Sequence, residues 1–134
     1  MKKKKPLKKK LDILWARLVK ERAGYRCEIC GKSNVQLNSH HIVGKNGTEL
    51  QWDLRNGISL CTHHHRLGKR LTVHNNPIWF TSWLSANRFK DYKFLGKMEM
   101  LELPAPSYEW LLARYDQLRQ ITDDHPQIEI GSYY

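Results

Sequence analysis

Two short pairs of cysteine and histidine constrain this chain more than any other feature. Cys27 and Cys30 stand three apart, and Cys61 and His64 repeat that spacing further on. An i, i+3 pair can grip one side of a metal ion. Two such pairs make a closed tetrahedral set with no position left for a substrate, which is the pattern of structural Zn²⁺. The chain has three cysteines, an odd number that argues against a disulfide framework, and in a cytosolic protein the pattern points to metal. The rival is a redox Cys-x-x-Cys beside unrelated histidines, which gives no reason for a second pair. His63 is an alternative to His64 as fourth ligand. With 134 residues there is room for one compact domain with a modest core. A metal staple adds folding free energy directly to so small a core.

The net charge of +10 is unevenly spread: eleven Lys/Arg against two Asp/Glu in residues 1–26, six against three in 27–76, and six against eight in 77–134. A basic arm ahead of a mildly basic centre suits a polyanion-binding protein, because each neutralised phosphate releases counterions. A solvated Lys-rich tail would look the same in isolation. There is no stretch of eighteen apolar residues and no apolar segment after the basic N-terminus. The expectation is therefore no membrane partner and a location in the cytoplasm of the cell that makes the protein, the host cell if it is phage-encoded.

Residues 1–10 (MKKKKPLKKK) are expected to be a disordered basic arm, 11–121 a single domain with its core in 25–75 and a helical extension in 77–121, and 122–134 a loose tail. Leu7, Leu11, Leu14, Trp15 and Leu18 fall on one helical face, with Gly24 as a stop. YRCEICGKSNV predicts a tight metal-binding turn, VQLNSHHIV a strand, GKNGTELQWDLRNG a loop, and GISL a second strand. THHHRLGKRL predicts a short helix ending near Gly68. Asn76 and Pro77 start one broken helix or two over 77–101. LPAPS is a linker, and Ser107 caps a last helix carrying Leu111, Leu112, Tyr115, Leu118 and Ile121. The aromatic residues after 77 are expected to be packing residues.

What the zinc ligands would hold together is strand, loop, strand and helix, with His40-His41 ending the first strand, Asn56 opening the second, and His65 directly after the ligand His64. This arrangement resembles the HNH nuclease family. The family has Asp-His or His-His at the end of its first strand, an Asn five residues before a Cys, and Cys-x-x-Cys-His at the end. Here those positions are His40-His41 in SHHIVGK, Asn56 in NGISLC, and Cys61-Thr62-His63-His64-His65. The departure is His64 where the family has cysteine. The resemblance covers residues 25 to about 75 and is strongest to small phage HNH proteins.

The resemblance implies an α+β fold, a ββα-metal core with a structural zinc knuckle flanked by N-terminal and C-terminal helices. It implies a DNA phosphodiester hydrolase, nicking as a monomer or cutting both strands as a homodimer, and leaving 5′-phosphate and 3′-hydroxyl ends. His41 would be the general base, and His40 and His65 would hold one catalytic divalent metal. That metal would be Mg²⁺ or Mn²⁺, with Ni²⁺ or Co²⁺ also open to a two-nitrogen site. Asn56 would fix the loop that aims the base. Some related phage sequences keep one histidine followed by an aromatic, so the roles of His40 and His41 can be exchanged. Lys45, Arg55, Arg66, Lys69 and Arg70 are candidate DNA phosphate contacts. His74 is read as a helix-start residue in preference to a further ligand, and His125 carries no role. Phage packaging or recombination proteins are the expected company. Two rivals remain: a non-catalytic zinc-dependent DNA-binding module, in which His40, His41, Asn56 and His65 have no task, and a zinc-stabilised protein-interaction domain using the aromatic-rich 77–121 segment.

Overall fold

A computed structural model describes residues 3–67 and 72–124. Helix α1 (Lys4–Arg22) buries Leu7, Leu11, Trp15, Leu18 and Val19 along one face. It reaches back into the stretch expected to be disordered, which corrects that expectation. Leu7 is buried in the apolar core, and Lys4 Nζ donates to Pro106 O at 3.0 Å. Pro6 is tolerated because a first-turn residue needs no N–H partner. The helix stops where the sequence predicts: Gly24 takes φ 68°, a left-handed conformation that a glycine reaches without strain.

The predicted strands form as β1 (Leu37–His41) and β2 (Gly57–Cys61), paired antiparallel from Leu37 opposite Cys61 to His41 opposite Gly57. All five residues of β2 are buried. It lies under α1, and Glu28 Oε2 caps its middle by accepting from Ser59 N. Between the strands, two 3₁₀ turns (Glu49–Trp52 and Leu54–Asn56) fold the loop back on α1. Trp15 Nε1 donates to Asp53 O at 2.9 Å, and Trp52 Nε1 to Asp12 Oδ1 at 2.8 Å. A single helical turn, His63–Leu67, follows β2. The expected end of that helix near Gly68 lies outside the described residues.

The 77–101 stretch is two helices, α2 (Pro77–Asn87) and α3 (Phe89–Glu99). They break at Arg88, which leaves helical geometry at φ −139° and ψ 58°. Its guanidinium donates to Gly57 O, Arg55 O, Asp91 and Glu28. Arg22 reaches the same strand start from α1, bonding Leu54 O and Gly57 O and pairing with Glu28. Burial, with Arg88 alongside, lowers its pKa to about 10, so it stays charged at neutral pH. Two largely buried cations thus satisfy backbone carbonyls around Gly57 while Glu28 and Asp91 balance their charge.

Helix α4 (Tyr108–Asp124) begins as predicted, with Trp110 N donating to Ser107 Oγ at 3.1 Å. It runs past residue 121 into the expected tail and packs on α1. Residues 125–134, His125 among them, lie outside the described residues. Among the described residues the fold is therefore α+β: four α-helices around a two-stranded antiparallel sheet. Among the described residues, no helix is long and apolar enough to cross a membrane.

Candidate metal centres

The first centre is built from the two predicted pairs. Gly31, at φ 76°, turns the chain after Cys30, and Gly31 N and Cys27 N bond Cys27 O and Lys32 O to close the turn. The Cys27, Cys30, Cys61 and His64 ligand atoms all lie within 4.8 Å of one another. Zn–S bonds near 2.3 Å and Zn–N bonds near 2.0 Å would put tetrahedral neighbours about 3.8 Å (S to S) and about 3.5 Å (S to N) apart. Here Cys30 Sγ to Cys61 Sγ is 3.9 Å, Cys27 Sγ to His64 Nδ1 is 3.7 Å, and Cys61 Sγ to His64 Nδ1 is 3.3 Å. The set can hold a zinc ion, with His64 as fourth ligand. His63 packs edge-on against the His64 ring and stays outside.

The thiols are unequal. Burial alone would raise Cys27, but backbone amides of Cys30, Cys61 and Ile29 bonded to its sulfur bring it below the usual thiol range. Burial pushes Cys61 up, and the neighbouring Cys27 sulfur adds to that. A dication would reverse the rise, because each thiolate then has a positive partner.

The second centre gathers His40, His65 and His74, whose ligand nitrogens also lie within 4.8 Å. His65 Nε2 is 3.2 Å from His40 Nδ1 and 3.0 Å from His74 Nε2. His40 comes from the pairing of β1 with β2, and His65 from the turn after the zinc ligand. His74 arrives because Val73 N donates to His64 O at 2.9 Å, folding the chain back on that turn. Burial lowers the pKa of His40 to about 4, and His65, His74, His41 and Arg66 push the same way. Burial also lowers His65, again helped by His74 and Arg66. Neutral imidazoles offer lone pairs to a metal, and three nitrogens leave coordination positions open.

His41 stands apart from both sets. Neighbouring strand residues point to opposite faces, and the His41 ring stacks on Trp15 at 3.9 Å and 4°. Its Nε2 lies 2.8 Å from Gln51 O. A carbonyl only accepts, so Nε2 carries the proton and Nδ1 keeps the lone pair. Burial lowers the His41 pKa against the opposing pull of Gln51 O and Asp12, which favours the free base. Asn56, fully buried, ties the loop to the strand: Oδ1 accepts from Val43 N at 2.7 Å, and Nδ2 donates to Val43 O at 2.9 Å and Leu50 O at 3.1 Å. Its side chain thus sets the course of the loop that carries Gln51.

Of the candidate phosphate contacts, Arg66 is exposed beside the histidine cluster. Lys45 Nζ donates to Leu101 O at 3.1 Å. Arg55 is already occupied, chelating Asp53 and lying 3.4 Å over the Phe94 ring. Lys69 and Arg70 lie outside the described residues. The residue that sequence reasoning undervalued is His74, whose only local sign is a helix start at Pro77.

No protein-family model, curated protein or solved structure matches this chain, so its functional reading rests on the two metal centres themselves.

Proposed function

We propose that the protein is a metal-dependent DNA endonuclease of the HNH type, with β1, β2 and the His63–Leu67 turn as its ββα-metal core. The observation that carries this reading is the division of labour between adjacent residues. His64 completes a closed Cys₃His set, and His65 joins an open three-histidine set. A purely structural zinc module has no use for the second.

His40, His65 and His74 would hold the catalytic divalent ion, which when bound supplies Lewis acidity to a phosphate oxygen and to the leaving oxygen. A three-nitrogen set leans toward Mn²⁺, Co²⁺ or Ni²⁺ over Mg²⁺. His41 accepts a proton from the attacking water at Nδ1. Its Nε2–H bond to Gln51 O strengthens as the ring becomes charged, and the Trp15 face favours that cation. The contact between His41 and Gln51 O separates the base from the ligand His40, and it favours those roles over the exchanged ones. Asn56 acts through the loop as a positioning residue. Arg66 and the Lys-rich face of α1 supply positive charge for the backbone.

The test is conversion of supercoiled plasmid with Mg²⁺, Mn²⁺, Co²⁺ or Ni²⁺ by wild type, His41→Ala and His65→Ala, each with its zinc content verified. Metal-dependent nicking in wild type, reduced at least about 100-fold in both variants, is expected from the loss of a general base or a metal ligand. Zinc-loaded wild type that cuts neither plasmid nor branched DNA with any metal sinks the reading and leaves a zinc-dependent DNA-binding module.

A further inference from the structure

Beside the three-histidine cluster lies an open cleft of about 380 Å³. His40 and His74 are among its lining residues. Phe80 and Tyr92 supply aromatic walls from α2 and α3, and Thr81 and Glu99 stand among the polar lining. Val43, Leu84 and Leu95, all buried, add apolar lining. Apart from His40 and His74, no residue lining it has a task in the proposed reaction.

We propose that the cleft receives one unpaired nucleobase of the strand whose phosphate meets the histidines. The proposal rests on the nuclease reading and names its substrate class: DNA with an extruded or unpaired nucleotide at the cut, as at a bulge, flap or junction. Three features select that occupant. The cleft is continuous with the metal ligands, so backbone held at the histidines presents its own base to the opening. Its volume suits a single small flat group, and an unpaired base enters without the unpairing and unstacking cost of a few kcal/mol that a paired base must first meet. Its lining is aromatic and apolar with an anionic edge: the Glu99 carboxylate repels phosphate but accepts from an exocyclic amino group. Thr81 Oγ1 already donates to Pro77 O at 2.8 Å, which leaves the hydroxyl as an acceptor as well. Amino-bearing bases therefore fit better than thymine.

The experiment measures binding without cleavage. Zinc-loaded full chain, with no other divalent metal added, is titrated into a fluorescent hairpin DNA. The hairpin carries one bulged cytosine, one bulged thymine or one bulged abasic site. Cytosine should bind about tenfold or more tighter than the abasic site, the scale of one base stacked on an aromatic wall, with thymine between. Tyr92→Ala should remove most of that preference. Gly96→Leu is the second variant: Gly96 lines the cleft, and a Cβ there meets nothing within 4 Å. The added side chain starts in open space and occupies room at the cleft, and cytosine should then bind no better than abasic. Equal affinity of wild type for cytosine and abasic bulges overturns the proposal, as does a preference that survives Gly96→Leu. If plasmid is nicked but bases are not distinguished, the cleft reading fails and the nuclease reading stands. A base preference with no cutting under any metal leaves the cleft as a binding site and removes the nuclease.

Discussion

The two ends of the chain and its middle are held together by different physics. Helices α1 and α4 meet through Leu7, Leu11, Leu18, Leu111 and Leu118, with Trp15, Trp52 and Leu54 filling the same cluster. Each of those burials stabilises by about 1.5–3 kcal/mol, and the contributions are spread over many side chains. The middle has a thinner apolar core of Ile58, Leu60, Val73 and Phe80, and the buried cysteines beside them belong to the set that can hold a metal. One region is a sum of small terms. The other brings together a Cys₃His set that can hold a zinc ion, and with an ion bound there the loss of a single ligand would undo several contacts together.

Breaking the sphere should give the largest effect. Cys61→Ala, or removal of zinc with a strong chelator, forfeits binding free energy of about 10 kcal/mol on the scale of zinc-finger peptides. Amide NMR should lose dispersion across residues 25–76, while far-UV circular dichroism keeps much of the α1 and α4 signal. Dispersed signals that persist in a zinc-free protein would mean that the middle has a sufficient core of its own. A smaller loss is expected from Leu118→Ala, which cuts the helical cluster at a residue 1% exposed. Urea unfolding should show about 2–5 kcal/mol of destabilisation with zinc stoichiometry unchanged. If zinc is lost in step, the two regions are not separable.

The seam between them gives the third test. A Cβ on Gly57 would come within 2.8 Å of Trp15 Cζ2 and closer still to Val19 Cγ2. Gly57→Ala should therefore push β2 away from α1 at a cost of about 1–3 kcal/mol. The disturbance should reach His41, which pairs with Gly57 in the sheet and stacks on Trp15. Urea unfolding reads the first effect, and the NMR shift of the His41 ring reads the second. A neutral substitution would show that the close packing at this seam is not needed.

Much of this was legible from residue spacing. The Cys₃His set could be read because its ligands come in two local pairs, and Ser107 and Gly24 because a cap and a left-handed stop are local events. The features that sequence reading missed or set aside are nonlocal. His74 joins His40 and His65 only because Val73 bonds back to His64, nine residues of chain closing on themselves with no periodic sign. The break at Arg88 follows from carbonyls of residues 55 and 57, far away in sequence. Lys-rich composition suggested disorder for residues 1–10, but burial of Leu7 and the contact of Lys4 with Pro106 extend the helix to Lys4. Arg55 was read as a phosphate contact from its charge, and its engagement with Asp53 and Phe94 could be seen only in three dimensions.

The placement of His64 and His65 side by side also bears on how this chain can vary in length. One residue added or removed between Cys61 and His64 would turn both His64 and His65 by roughly 100° about the helical axis. Both ligand sets would then fall out of alignment in a single event. Gly44 to Thr48, by contrast, lies in loop backbone that carries no ligand. Homologues of this protein should therefore differ in length within that loop and keep an invariant count across the five residues from Cys61 to His65.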